Sequence, residues 1–140
     1  MKTVLWLGVF WRLLSVAQAE PVLPTEFISA PDDPLCHAAR DRISGCFVIP
    51  GEMRWSSEAP NFRIFPTGET QSVGVPRDGE LVRMPKAFLE AWFASPASPD
   101  GVVTGEFSVC PLAEPNPHVV AQVCVERASK LVFLPKVEPK

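Results

Sequence analysis

Four cysteines, two histidines, one adjacent carboxylate pair and one strand bearing an arginine beside an aromatic are the residues of this chain that could carry chemistry. The cysteines are Cys36, Cys46, Cys110 and Cys124. Zinc sites of this ligand type are built from close pairs such as Cys-x-x-Cys. Here the gaps are 9, 63 and 13 residues, and no such pair exists. The spacing therefore points to two disulfides and no metal. His37 follows Cys36, and His118 falls between two strand-like runs. A hydrolase needs a nucleophile, a base and an orienting group held together, and no G-x-S-x-G, H-E-x-x-H or Walker pattern supplies one. Asp32-Asp33 sits in a proline-rich stretch with nothing to hold the carboxylates rigid. The glycines are scattered and form no phosphate-cradling loop. No catalytic residue is assigned and no cofactor is expected.

The N-terminal segment fits the disulfide reading. Lys2 supplies a positive start, Thr3 to Trp11 is nearly all apolar, and Ala17-Gln18-Ala19 is a small-x-small cleavage pattern. Residues 1–19 read as a cleaved secretory signal, although Arg12 shortens the apolar run. They are too few and too broken to span a bilayer, which takes about 20 apolar residues. No other stretch could span one. Disulfides after such a leader imply an oxidising compartment.

Removing Lys2 and Arg12 leaves 11 basic groups against the chain's 16 acidic ones, a net charge of −5. A mildly acidic domain with scattered Lys and Arg lacks the electrostatic footprint that nucleic-acid backbones require, so nucleic acid is excluded as a partner.

Sixteen prolines punctuate the chain without forming a low-complexity run. Residues 20–34 read as an extended proline-rich arm, and 35–140 as one disulfide-stabilised domain. Leu35 to Arg42 suits one or two helical turns. A first strand starts over Gly45 to Ile49, is bent at Pro50-Gly51, and resumes over Met53 to Trp55. Asn61 to Phe65 has the period-2 alternation of a strand, with Phe62 and Ile64 opposite Arg63 and Phe65. Gln71 to Val75 is a short third strand. The period then changes. Phe88, Leu89, Trp92 and Phe93 fall on one helical face, with Pro85 at the first helical position and Ser95-Pro96 as the stop. Val102 to Leu112 and Val119 to Val125 follow as strands, and Leu131 to Leu134 extends the last one after a break near Ala128-Ser129.

Three strands, a helix and two strands is the order of the OB-fold. The chain is thus expected to be mainly β with one helix, an OB-fold-like five-stranded barrel with the helix plugging one end. An open α+β sandwich is the alternative. A hairpin centred on Pro117 places Cys110 opposite Cys124, Val109 opposite Val125, Ser108 opposite Glu126 and Leu112 opposite Gln122. The expected disulfides are therefore Cys110–Cys124 and Cys36–Cys46.

In OB-folds the face of strands one to three binds oligonucleotides or oligosaccharides. The expected ligand-binding residues are Arg63 and Phe65, which share a strand face, and Trp55 across the turn. An aromatic beside a guanidinium stacks on sugars and planar groups. The competing reading makes Trp55 and Phe65 a second small core covered by Arg63. The function implied is a non-catalytic binding or interaction module, with an unidentified protein or a small or saccharide ligand as partner; the resemblance described next implies that its place is the bacterial periplasm or envelope. A small secreted enzyme or enzyme inhibitor is the alternative.

The run P-N-F-R-I-F-P-T-G-E-T-Q-S-V-G-V over Pro60–Val75, G-E-F-S-V-C-P over Gly105–Pro111, and V-C-V-E-R-A over Val123–Ala128 resemble a group of small uncharacterised secreted bacterial proteins. The resemblance rests on Pro60, Arg63, Ile64, Gly68, Gly74, Cys110, Pro111 and Cys124. The chain departs from that pattern at Glu58-Ala59, Phe65, Glu69 and Gln71. What it implies is a bacterial periplasmic or secreted origin, with no catalytic residue to carry over.

Overall fold

A computed structural model describes residues 24–30, Cys36, 45–78, 81–112, 114 and 117–137. The leader expected at 1–19, Asp32-Asp33, His37 and, apart from Cys36, the helical turn expected at 35–42 lie outside these residues.

The strands are β1 (Phe27–Ile28), β2 (Phe47–Trp55), β3 (Phe62–Pro66), β4 (Val73–Val75), β5 (Arg77–Asp78), β6 (Leu81–Val82), β7 (Val102–Pro111) and β8 (Ala121–Leu134), with one helix, α1 (Lys86–Ala94), between β6 and β7. β2 pairs antiparallel with β3 and β7, β3 with β4, and β7 with β8. The parallel contact of β4 with β8, at Val73–Ala121 and Gly74–Gln122, closes the ring. The result is a closed five-stranded barrel, β2-β3-β4-β8-β7, with the helix between its third and fourth strands. This is the OB-fold-like barrel expected from the order of elements. β1 is a sixth strand, laid against β8 through Phe27–Ala128 and Ile28–Arg127. It comes from the proline-rich stretch expected to be an extended arm.

Alternation decides which residues face inward. Met53, Phe62, Ile64, Val75, Val103, Phe107, Val109 and Val125 fill the barrel. α1 closes it with Phe88 and Trp92, both buried. Trp92 meets Phe62 edge-on at 5.8 Å, and Phe88 lies within van der Waals reach of Phe27, Phe107 and Phe133. Such offset and edge arrangements suit the aromatic quadrupole. A nine-residue helix is marginal alone, so these anchors hold it in place. Its apolar face is narrower than expected. Leu89 is partly buried, but Phe93 is 60% exposed. Pro85 sits one position earlier than expected, as the residue capping the helix; its carbonyl accepts from the amides of Phe88 and Leu89. The helix ends at Ser95, ahead of Pro96, as the sequence indicates.

Two irregularities differ from expectation. The first strand is continuous through Pro50-Gly51. Pro50 falls just beyond the point where β3 ends at Pro66, and its carbonyl accepts from Thr67. Its missing N–H therefore costs no ladder bond. The break expected near Ala128-Ser129 is a bulge in one long strand, centred on Lys130 with φ 53°. The β5–β6 pairing, Arg77–Val82 and Asp78–Leu81, was not anticipated, although Asp78-Gly79 is a known hairpin signal.

The cysteine pairing also needs correction. Cys110 does stand opposite Cys124, and Val109 opposite Val125. A bulge then shifts the register, so that Ser108 faces Arg127 and not Glu126. The disulfides are Cys36–Cys124 and Cys46–Cys110, not Cys36–Cys46 and Cys110–Cys124. The reason is that β7 has two neighbours in a closed barrel. Phe47 pairs with Val109, which brings Cys46 beside Cys110 on the β2 side. Their Cα atoms are 4.2 Å apart, close to the spacing of a non-hydrogen-bonded antiparallel pair. Cys124 is left for Cys36. With Leu112 packed on them, Cys36, Cys110 and Cys124 form a small second core outside the barrel.

Candidate functional site

The outer face of β2 and β3 is built from residues whose neighbours point inward. Met53 pairs with Ile64, and Trp55 with Phe62, on the inner side. Glu52 pairs with Phe65, and Arg54 with Arg63, on the outer side. The three residues singled out in the sequence are thereby divided. Arg63 and Phe65 share the outer face, both half-buried. Trp55 lies on the inner side and packs against the barrel core. It does not belong with the other two, because the parity of β2 runs unbroken through Pro50-Gly51 and carries Trp55 inward with Met53.

Arg54 takes the place that Trp55 was expected to fill. Its guanidinium lies 5.0 Å from the centre of the Phe65 ring and 2.7 Å from a Glu52 carboxylate oxygen. The Arg54 side chain is 53% exposed. A cation over an aromatic face is held by the ring quadrupole, contributing about 0.5–1 kcal/mol at an exposed position. Arg54 and Arg63 stand directly opposite one another, and like charges in that relation disfavour the sheet. Glu52 offsets one of them. Arg63 approaches the Pro60 carbonyl with its Nε at 3.5 Å.

Pro60 has a second contact. Its ring lies against Gly74 of β4, so that a side chain at Gly74 would overlap it. Gly74 pairs with Arg63, which places Pro60, Arg63 and Gly74 together at the edge of the same surface. The result is an amphipathic platform of one aromatic ring, two guanidiniums and one carboxylate. It can stack a flat or sugar ring and offer several N–H donors to hydroxyls.

A second cluster joins Cys46, Cys110 and Glu126, whose ligand-type atoms lie within 4.8 Å of one another. A Glu126 carboxylate oxygen is 3.3 Å from Cys110 Sγ. Both sulfurs belong to a disulfide, so neither is a thiolate ligand. His118 is exposed in the turn before β8. Among the described residues no helix is long and apolar enough to cross a membrane.

Arg54 and Glu52 were missed in the sequence because the Pro50-Gly51 dipeptide suggested a bend, which hid the alternation of β2. Counting outward from Met53 at period 2 would have found them. A scan against protein-family models and searches of curated proteins and of solved structures give no match to this chain.

Proposed function

We propose that this protein is a non-catalytic binding module of the bacterial periplasm or envelope, and that its ligand surface is the outer face of β2 and β3. The observation that carries this reading is the Arg54 guanidinium held over the Phe65 ring, with Arg63 opposite Arg54. Two arginines kept face to face beside a partly exposed ring are unfavourable for folding alone and useful for recognition. The platform shares β3, the second barrel strand, with the strand surface that OB-folds use for ligands. Sugar rings fit it best, since they offer an apolar face to Phe65 and hydroxyls to the guanidiniums. The net charge of the chain, −3 as a whole, argues against a polyanion.

The two disulfides support an oxidising compartment. Protein purified from a periplasm should begin at Glu20, which intact mass measures directly. Retention of residues 1–19 on that material would count against the location. For the activity, retention on resin coupled to soluble cell-wall glycan is the test. Wild-type protein should be retained, and Phe65→Ala and Arg54→Ala should be lost with little change in melting temperature. Equal retention of all three would reject the platform.

A further inference from the structure

A groove of about 440 Å³ crosses the outside of β8, β7 and β2 and the residues leading into β1. Its working groups are Glu26, Glu106, Ser108, Arg127, Ser129 and Lys130. They form two ion pairs. Arg127 meets Glu26, and Lys130 Nζ lies 3.1 Å from Glu106 Oε1. Register puts the hydroxyl residues beside these pairs, with Ser108 opposite Arg127 and Ser129 opposite Glu106.

The backbone adds an independent observation. Lys130 has φ 53°, in the left-handed region where a lysine is strained and a glycine is not. It occupies the β8 bulge facing Gly105, where a side chain on Gly105 would come within 2.7 Å of both Leu131 Cδ2 and Ser129 O. A bulge of this kind re-aims a side chain, and here it directs the Lys130 side chain, 75% exposed, to the groove. Strain retained at an exposed residue points to a role for its side chain.

We propose that this groove binds a short peptide with free ends, its carboxylate taken by Lys130 and its ammonium by Glu26, the carboxylate of the other pair. The groove has two positive and two negative groups, so a singly charged ligand meets like charge wherever it meets opposite charge. A dipolar ligand is complementary at both ends. Exposed ion pairs are held by little energy and exchange partners readily. The pairs sit two β7 residues apart, at Glu106 and Ser108, or about 7 Å along the strand. An extended dipeptide covers a similar length at about 3.3–3.6 Å per residue, whereas a free amino acid is too short to bridge them. This site is distinct from the Phe65 platform. The two adjoin, since Glu106 pairs with Pro50, two residues along β2 from Glu52, but they share no residue, so Lys130→Gly and Phe65→Ala each touch one site and separate their failures.

The test is an amide chemical-shift titration of the disulfide-bonded protein with Ala-Ala, read at 106–108 and 127–130. Saturable shifts are expected with Ala-Ala, and much weaker ones with glycine, acetate or the N-acetylated, C-amidated dipeptide. Lys130→Gly should keep or raise the melting temperature, since glycine suits φ 53°, while weakening Ala-Ala binding by about tenfold or more. Glu26→Gln, which leaves the backbone unchanged, should weaken it similarly. Equal shifts from the capped dipeptide or from acetate would overturn the proposal. So would unchanged Ala-Ala binding in both variants.

Discussion

Cys110 faces Cys124 across the β7–β8 pair, yet it is bonded to Cys46, its neighbour on the β2 side. That bond ties the start of β2 to β7, while Cys124 of β8 reaches back to Cys36, ahead of the barrel. Non-reducing proteolysis should release Cys36 with Cys124 and Cys46 with Cys110, and thiol titration without reductant should find no free cysteine. The bonds close separations of 88 and 64 residues. In the chain-entropy model each is then worth about 4–5 kcal/mol, less any strain. A Cys36–Cys46 peptide would contradict this arrangement.

Gly74→Ala should destabilise the protein by about 1–3 kcal/mol, the range for overpacking, because the new methyl group would overlap the Pro60 ring. Pro60→Ala made together with Gly74→Ala should recover part of the loss. Chemical denaturation of the four proteins in a double-mutant cycle measures the coupling. Strictly additive changes would show that the two residues do not share that space.

The helix supplies a sharp contrast within one element. Trp92→Ala should cost about 3–5 kcal/mol, as for a deleted buried aromatic. Phe93→Ala, one residue on, should change stability by no more than about 0.5 kcal/mol, because its ring is largely in water. Thermal melts decide this. Equal losses would place both rings in the core.

Much of the barrel was legible in the sequence because its signals are local. Alternation at Phe62–Phe65, the 3.6-residue period at Phe88–Trp92 and the Ser95-Pro96 stop each fix an element without reference to the rest. What failed was non-local. The partner of Cys110 depends on which strand lies on its other side, and the hairpin of β7 with β8 says nothing about β2. Phe93 could be assigned to the buried face only by assuming a wider contact than the end of this barrel provides. Of the candidate site, Arg63 and Phe65 were readable from period 2. Trp55 was misplaced and Arg54 overlooked for one reason, the assumption of a bend at Pro50-Gly51 where the strand in fact continues. The groove at Lys130 depends on a bulge and on β1, neither of which has a strong local signature.

The division of Trp55 from Phe65 predicts opposite mutational behaviour. Trp55→Ala should lower stability by about 2 kcal/mol or more, through lost packing on the core. Phe65→Ala and Arg63→Ala should each stay within about 1 kcal/mol of wild type. Melting curves of the three variants test the assignment. A large loss at Phe65 would make that ring structural and remove the platform.

The central claim is tested most directly by titrating isotope-labelled protein with soluble cell-wall glycan fragments and following the amides of 52–54 and 63–65. Saturable shifts confined to β2 and β3 are expected in the wild type, and their disappearance in Phe65→Ala with the remaining spectrum intact. Absence of shifts in the wild type, or their persistence in Phe65→Ala, would contradict a ligand surface at Arg54, Arg63 and Phe65.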